Sequence, residues 1–365
     1  MSAAAQAREA ASEFNFGAPL REVRAHGCGL INDTYLVTLD TTPPRRAILQ
    51  RINSKVFPQP QHIMQNLRML LDHAQRTTNK TSPPDTPLRL PNLYRAHDRR
   101  DFVLDADGNY WRALHYIEDT RALDYLANPA QAHNIGSALG GFHALLNELP
   151  MHHLHTTLPG FHITPNYLAR FDQVSARSPS AADAAAACDF VAARRALTTR
   201  LEHGKSSGAL PLRATHGDPK LDNFLFDAQS DRVVSLIDLD TVQPGLIHCD
   251  LGDCLRSCCN RTGESARDPE TTQFDLELCS AILRGYVEAA GGFLTAPDFD
   301  FMYDAIRLIP FELGLRFLTD HLEGDVYFKT QSPGQNLHRA RVQFQLTTRI
   351  EQNETAIRGM IAGLR

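Results

Sequence analysis

Apolar and polar residues alternate in short runs over the first third of the chain, which is typical of β-strands. Residues 35–39 and 46–52 are two such runs, separated by a turn-rich stretch. Residues 102–104 and 110–114 flank a turn that contains Asp107-Gly108, which predicts a second hairpin. Between the hairpins the apolar positions fall at helical spacing, at Ile63, Met64, Leu67, Leu70 and Leu71. The pattern predicts a small antiparallel sheet accompanied by a helix.

Beyond residue 124 the apolar spacing becomes mostly helical. One core-facing stripe contains Ile135, Leu139, Phe142, Leu145, Leu146 and Leu149, and residues 180–200, 276–287, 298–322 and 339–358 also favour helix. The exception is residues 223–237, where two strand-like runs flank the turn-rich stretch 227–231 and predict another hairpin. We therefore expect an α+β fold with two lobes, a small sheet-containing lobe at 1–116 and a larger, mostly helical lobe at 117–365.

Composition narrows the class of protein. A chain of 365 residues exceeds the length at which one core usually stops growing, which agrees with two lobes. Apolar residues make up 42% and the net charge is -5, so a nucleic-acid surface is not expected. No run of about 18 apolar residues and no signal peptide is found, and the seven cysteines favour reduced thiols. These features predict a cytoplasmic protein without a membrane partner.

The stretch from Thr215 to Thr241 carries the candidate chemistry. His216 and Asp218 are followed by Asn223, and Asp238 ends a strand-like run. A His-x-Asp, an Asn further on and a downstream Asp form the catalytic pattern of protein kinases. Asp218 is placed to accept the proton of an acceptor hydroxyl, and the hairpin returns Asp238 toward Asn223. Their carboxylate and amide oxygens are hard ligands suited to Mg2+. Singly, such residues are more often turns or helix caps; together they indicate phosphoryl transfer.

Candidate nucleotide contacts lie in the N-terminal lobe. The glycine-containing turn at 26–29 can lay N–H groups over phosphates, and Asn32 and Thr34 follow it, although the glycines could supply only a hairpin turn. Arg51 shares a strand face with Leu49 and could be the phosphate-binding cation that kinases carry on this strand, or a surface cation. The acidic helix partner that kinases give this cation is missing.

The segment from His115 to Ile117 leaves the last strand of the first lobe. An extended connector can pair its backbone with the edge of an adenine, so His115 and Ile117 are candidate nucleotide contacts. The alternative is a plain edge strand.

Three further groups of residues could form functional sites but have a simpler structural explanation. Glu312, Arg316 and Asp320 fall four apart and share one helix face, which usually indicates only surface stabilisation. The His-His-Leu-His run at 152–155 lacks a carboxylate or thiol partner at ligand spacing, which favours a solvated loop. The cysteines of 254–259 also lack metal-binding partners and favour buried thiols.

Seven segments carry a more specific resemblance. They are GLINDTYLV (29–37), AILQRINSKVF (47–57), GNYWRALHYIED (108–119), GDPKLDNFLFD (217–227), LIDLDTVQPGL (236–246), DLGDCLRS (250–257) and ELGLRFLTDHLEGDVYFK (312–329). Through them the chain resembles the aminoglycoside phosphotransferase and choline kinase superfamily, and within it the N-acetylhexosamine 1-kinases. The resemblance implies a protein-kinase-like fold, ATP, Mg2+ and transfer to the anomeric hydroxyl of N-acetylglucosamine or N-acetylgalactosamine.

On matching positions the resemblance implies that Asp218 is the base and that Asn223 and Asp238 are metal ligands. It also makes Asn32, Thr241, Arg316 and Tyr327 candidates for the sugar site. The His216–Pro219 segment departs from the polar residues expected beside the base in these sugar kinases. A kinase of another small alcohol, such as an aminoglycoside or choline, therefore remains an alternative. An inactive nucleotide-binding module is a third possibility, and the intact Asp218, Asn223 and Asp238 argue against it.

Overall fold

The chain is described by a computed structural model that covers residues 2–27, 31–78, 88–177, 183–264 and 266–365. The glycine-containing turn considered above falls partly outside these residues, at 28–30, as do the first residues of the stretch 180–200. The N-terminal part contains α1 (Ala3–Ser12), β1 (Leu20–Ala25), β2 (Asp33–Leu39), β3 (Arg46–Arg51), α2 (Pro60–Thr78), β4 (Val103–Leu104) and β5 (Tyr110–His115).

The N-terminal strands form one antiparallel sheet in the order β1-β2-β3-β5-β4. One face packs against α1, because Ala7, Ala10 and Ala11 share a buried cluster with Leu49 and Trp111. The opposite face is turned toward α2 and the second lobe. Since side chains alternate along a strand, each strand supplies one set of residues to the α1 side and another to the cleft between the lobes.

The remaining elements build the larger part. They are β6 (Thr120–Arg121), α3 (Pro129–Leu146), α4 (Thr164–Ser175), α5 (Ala185–Ala193), α6 (Arg200–Ser206), β7 (Arg213–Thr215), β8 (Phe224–Asp227), β9 (Val233–Leu236), β10 (Gln243–Gly245), α7 (Ile247–Cys258), α8 (Leu276–Ala290), α9 (Ala296–Leu322), α10 (Gln335–Gln352) and α11 (Glu354–Gly363). The fold class is therefore α+β, with a small antiparallel sheet in one lobe and a mostly helical second lobe, as predicted.

Close helix packing holds the second lobe together. Helices α3 and α8 approach so closely that a Cβ atom at Gly136 would lie 2.0 Å from the Ile282 carbonyl oxygen. A Cβ at Gly285 would lie 2.2 Å from the His133 carbonyl oxygen. Glycine at both positions lets the two backbones touch and places α3 against the β8–β9 hairpin. The thiols of Cys254, Cys258, Cys259 and Cys279 are buried in this core.

One predicted helix is divided in two in the structure, and one predicted boundary between the lobes is not tested by it. The helix expected over 339–358 is two helices, α10 and α11, divided at Asn353, whose side-chain amide donates to the Arg349 carbonyl oxygen at 2.8 Å. An Asn that bonds to nearby backbone competes with helix propagation, which accounts for the break. The division at residue 116 falls just after β5, and it stays a prediction.

Candidate active site

The loop that carries Asp218 is held from below by a buried carboxylate. Asp250, on α7, accepts hydrogen bonds from the backbone N–H groups of His216 (2.6 Å) and Gly217 (2.8 Å), and from His143 Nε2 (2.8 Å). Burial opposes ionisation, but the hydrogen bond from His143 lowers the pKa of Asp250. Gly217 has φ +89°, and a Cβ there would lie 2.7 Å from Thr241. Both constraints fix the loop's path.

His216 is a structural member of the loop. Its Nδ1 accepts the N–H of Asp218 at 3.2 Å, so Nε2 carries the proton and donates to the Ile237 carbonyl oxygen at 2.9 Å. Burial lowers the pKa of His216, which keeps the ring neutral. This bond joins the loop to the end of β9, immediately before Asp238.

Asp218 points into the cleft with 30% of its side chain exposed. Lys220 Nζ donates to Asp218 Oδ2 at 2.7 Å. Burial would raise the pKa of Asp218, but the charge of Lys220 and this hydrogen bond lower it. Asp218 is therefore ionised at neutral pH and can accept a proton. Burial likewise opposes the charge of Lys220, whereas Asp218 and Asp238 raise the pKa of that amine.

The β8–β9 hairpin brings the backbones of Asn223 and Asp238, the two proposed metal ligands, to the same end, as its turn predicted. Phe224 pairs with Leu236, and the Ile237 N–H donates to the Asn223 carbonyl oxygen at 2.9 Å. The Asn223 side-chain amide donates to the Asp218 carbonyl oxygen at 2.7 Å, which leaves its Oδ1 without a donor among the described residues. Asp238 has a left-handed backbone, φ +64°. An amide oxygen and a carboxylate from this end of the hairpin are hard oxygen ligands of the kind that would hold Mg2+.

Asp238 is exposed to solvent, while several charged protein groups lie around its carboxylate. Burial and the neighbouring charge of Asp240 raise the pKa of Asp238 to about 6, while Lys220 acts in the opposite direction. A bound cation would favour the ionised form. Among the described residues no group of three or more His, Cys, Asp or Glu side chains forms a separate metal site.

Arg51 lies on the α1 side of the sheet. It pairs with Asp33 (Nη2–Oδ2 2.5 Å) on the neighbouring strand and lies 5.8 Å from the ring of Trp111, which is buried against α1. The cleft side of β3 instead carries Gln50, which donates to Thr34 Oγ1 at 3.2 Å. The structure thus brings Thr34 into the cleft and does not bring Arg51 there.

A buried ion pair joins the two lobes close in sequence to the proposed metal ligand Asp238. Arg112, on the cleft side of β5, pairs with Asp240, and both side chains are at most 3% exposed. Asn32 also donates to Asp240, at 2.7 Å, and its Oδ1 accepts the N–H of Asn53 at 3.0 Å. Asn32 therefore belongs to the contact between the lobes.

Of the two candidate residues in the connector between the lobes, only Ile117 keeps an unpaired backbone N–H group among the described residues. The His115 N–H already donates to the Asn92 carbonyl oxygen at 2.8 Å, and its ring stacks on Tyr94 with centroids 4.0 Å apart. The Ile117 carbonyl accepts the Thr120 hydroxyl at 2.8 Å, while its N–H has no partner among the described residues. The Ile117 peptide is thus the part of the connector free to meet an adenine.

Arg316, on α9, lies among four aromatic rings. Its guanidinium carbon is 5.1–5.9 Å from the ring centroids of Phe161, Tyr167, Tyr327 and Phe328. No hydrogen-bond acceptor or anion pairs with it among the described residues. Burial opposes its charge, but Tyr167, Tyr327, Glu312 and, more weakly, Asp218 raise the pKa of Arg316. Burial raises the pKa of Tyr167 to about 12, so that phenol is neutral.

The polar residues on either side of Arg316 along α9 are buried rather than part of a surface ladder. Glu312 accepts from His162 Nδ1 (2.8 Å) and the Thr164 hydroxyl (2.5 Å), and His162 Nε2 donates to the Gly217 carbonyl oxygen at 3.0 Å. Glu312 therefore braces the loop that holds Asp218.

Asp320 shapes the loop that presents Tyr327. Its Oδ1 accepts the N–H groups of Val326 (2.9 Å) and Tyr327 (2.7 Å), and its Oδ2 accepts that of Phe328 at 3.0 Å. Thr241 has a different role, because its hydroxyl donates to the His216 carbonyl oxygen at 2.8 Å. It packs against Gly217 in the loop that carries Asp218.

Sequence reasoning did not identify Lys220, Arg112, Asp240 or the bracing role of Asp250. Lys220 could have been found, because it lies two residues after Asp218 in the same loop. Arg112 and Asp240 are distant in sequence, and only the packing of the two lobes brings them together.

Comparisons with known proteins identify the group to which this architecture is related. A family model described as the phosphotransferase enzyme family matches residues 22–288. An aminoglycoside phosphotransferase from Alicyclobacillus acidocaldarius is similar in structure, with a TM-score of 0.65 at 16% identity over 98% of this chain and 96% of that one. A microcompartment-associated aminopropanol kinase gives 0.60 at 16% identity, over 97% and 98% of the two chains.

A third similar structure is an amicoumacin kinase in complex with AMP-PNP and Ca2+. Its TM-score is 0.60 at 13% identity, covering 96% of this chain and 94% of that one. These likenesses show the protein-kinase-like fold of small-molecule phosphotransferases. Across the described ranges no helix combines the length and apolar character needed to span a bilayer.

Proposed function

Because the chain belongs to the phosphotransferase enzyme family, we propose that it transfers the terminal phosphate of ATP, with Mg2+, to the anomeric hydroxyl of an N-acetylhexosamine. The products are the sugar 1-phosphate and ADP. Asp218 accepts the proton of the hydroxyl, which attacks the terminal phosphorus while the bond to the ADP oxygen breaks. Asn223 and Asp238 hold the metal, which neutralises charge on the phosphates.

The basic residue beside Asp218 has a defined part in this reaction. Lys220 Nζ lies 2.7 Å from Asp218 Oδ2 and also acts electrostatically on Asp238. A cation between the base and the metal ligand is placed to hold the transferred phosphate. Thr34 on the cleft side of the sheet and the Ile117 peptide of the connector line the path that the nucleotide would occupy.

The observation that carries the choice of acceptor is the unpaired guanidinium of Arg316 inside its ring of aromatic side chains. Its N–H donors have no partner among the described residues and point to a ligand rich in oxygen. Sugar hydroxyl and acetamide oxygens are such acceptors, and the apolar C–H faces of a pyranose can pack on Tyr167 and Tyr327. A fixed positive charge disfavours a cationic acceptor in the same place.

The spatial arrangement also agrees with the resemblance in the sequence. The segment 312–329 carries Arg316 and Tyr327, and Glu312 and Asp320 in that segment fix the loops on both sides of Arg316. The segment 217–227 carries Asp218 and Asn223. His162, which bonds to Glu312 and to the Gly217 carbonyl oxygen, connects the two segments.

Identification of the phosphorylated atom tests the proposal. The protein is incubated with ATP, Mg2+ and a panel of N-acetylglucosamine, N-acetylgalactosamine, glucose and their 1-O-methyl glycosides, and products are analysed by phosphorus–proton correlation NMR. We expect phosphorus coupled to the anomeric proton, slower reaction of glucose and no product from the methyl glycosides. A methyl glycoside phosphorylated as fast as the free sugar would show that the anomeric assignment is wrong.

A second candidate is a kinase of an amino alcohol or aminoglycoside. It is favoured by an acid that acts electrostatically on Asp218. Asp253 Oδ1 accepts a hydrogen bond from Arg256 at 2.8 Å, but its buried Oδ2 has no hydrogen-bond partner among the described residues, and burial raises the pKa of Asp253. Asp222 and Glu264 lie nearby in the field of Lys220. Ethanolamine, choline and an aminoglycoside therefore belong in the same panel, and turnover of these alone would select this candidate.

A further inference from the structure

The cleft side of the N-terminal sheet lacks the phosphate-binding cation where kinases carry it. In kinases a basic residue of the third strand holds the α- and β-phosphates. On β3 the cleft side carries Gln50, and Arg51 faces α1. Arg46 shares the side of Gln50, but it lies at the connector end of the strand, where it pairs with Glu118 and covers the Tyr116 ring. Phosphates near the metal ligands would find no strand cation on β3.

The neighbouring strand, β5, carries a cation on its cleft side. Arg112 lies directly opposite Gln50 in the β3–β5 register. Its Nε and Nη2 donate to Gln50 Oε1 at 3.0 and 2.7 Å, so the glutamine fixes the plane of the guanidinium. Arg112 is 1% exposed, and its Nη1 has no hydrogen-bond partner among the described residues. A buried cation with an unused donor is costly unless an anion approaches it.

The anion that keeps Arg112 in place belongs to the metal-binding segment. Asp240 pairs with the guanidinium and follows the metal ligand Asp238 by two residues. The guanidinium is therefore at the metal and phosphate end of the cleft, whereas Arg46 is at the connector end.

We propose that Arg112 is the phosphate-binding cation of this protein and that Asp240 and Gln50 are its positioning residues. The cation that kinases carry on β3 lies on β5 in this protein, and Gln50 on β3 orients its guanidinium. In this arrangement Nη1, which is buried in the structure, becomes accessible when neighbouring groups shift on nucleotide binding and donates to an α- or β-phosphate oxygen, while Nη2 stays with Asp240. The inference rests on the proposed use of ATP, and it does not depend on the identity of the acceptor.

Nucleotide binding without an acceptor tests the assignment. Dissociation constants of Mg2+-ATP, Mg2+-ADP and adenosine are measured by calorimetry for the wild type, Arg112→Met and Arg112→Lys. A charge-assisted hydrogen bond predicts about 10- to 100-fold weaker binding of ATP and ADP to Arg112→Met, with adenosine within about twofold of the wild type. Arg112→Lys should recover part of the loss, because it keeps the charge but cannot bond to Gln50 and Asp240 together.

The matched control is Arg51→Met, which removes an arginine from the other side of the same sheet. It should leave the binding of all three ligands within about twofold of the wild type. If Arg112→Met weakens the binding of adenosine and ATP by the same factor, Arg112 only shapes the cleft. If the affinity for ATP is unchanged in this variant, Arg112 is excluded as a phosphate contact. A loss in Arg51→Met without one in Arg112→Met would return the role to Arg51.

Removal of Arg112 alone leaves Asp240 buried without its partner, which can prevent folding. The double variant Arg112→Met/Asp240→Asn removes both charges and provides a folded reference, checked by circular dichroism. It should retain adenosine binding and still bind ATP about 10- to 100-fold more weakly than the wild type. ATP binding at wild-type strength in this folded protein would overturn the inference. If the wild type itself binds no nucleotide, the proposed use of ATP fails instead.

Discussion

Replacement of Arg316 by Met should separate a loss of acceptor binding from a loss of stability. The guanidinium has no hydrogen-bond or ion-pair partner among the described residues, so the change breaks no such contact inside the protein. Methionine fills a similar volume among the same rings and avoids burying a charge. The interactions lost are cation–π contacts of about 0.5–1 kcal/mol each, offset by the removed desolvation cost of the cation.

The effect on the reaction should be much larger. If the guanidinium donates one charge-assisted hydrogen bond to the acceptor, its loss costs about 1.5–3 kcal/mol. This corresponds to about 10- to 150-fold in kcat/KM for the proposed sugar, with the KM for ATP little changed. The thermal midpoint should shift by less than about 3 °C, given the size of the chain.

The assay combines steady-state kinetics with thermal unfolding. Arg194→Met is the matched control, because Arg194 also covers an aromatic ring, Phe190 at 3.6 Å, but pairs with Glu351 at 2.8 Å away from the cleft. The control should lose stability and keep its kinetics. The binding role of Arg316 would be refuted if Arg316→Met had a lower thermal midpoint than Arg194→Met and lost kcat/KM equally for ATP and for the sugar.

Three further predictions concern the catalytic loop and the metal ligands. Asp218→Asn should lower kcat by about 10²- to 10⁴-fold in an ADP-release assay while nucleotide binding persists, and a fall below about tenfold would exclude Asp218 as the base. Because the pKa of Asp238 is raised to about 6, its carboxylate becomes protonated as the pH falls through that value, so Mn2+ affinity measured by electron paramagnetic resonance should drop severalfold from pH 8 to pH 5. Asp238→Asn should lack this pH dependence, and the same pH dependence in the variant would assign it to another group. Asp250→Asn should lower the free energy of unfolding at pH 7 by about 2–3 kcal/mol, since two backbone N–H groups share its charge. The pKa of Asp250 is lowered in the folded state, so its contribution is present above the unfolded pKa and is lost as the pH falls; a wild-type and variant stability difference that is constant in acid would contradict this.

Local patterns were sufficient for most of the elements and for the hairpin that follows Asp218. The hairpin of β8 and β9 could be read from its turn, and its register alone returns Asp238 to Asn223. Strand alternation also correctly placed Leu49 and Arg51 on one side of β3. These features depend on neighbours along the chain, and their geometry is set by the period of a strand or by the length of a turn.

The same periodicities could not decide which side of an element faces the cleft. Arg51 faces α1, while Arg112 meets Asp240 across the lobes, at a separation of more than a hundred residues that no local pattern encodes. Glu312 and Asp320 share a helix face with Arg316, as their spacing predicted, yet that face is buried and each carboxylate holds a different loop. Local patterns along the chain set the helices and strands, the hairpin after Asp218 and the residues that share one side of an element. What each side contacts follows from long-range packing, which depends on the whole chain at once and is not encoded in the period of a helix or strand.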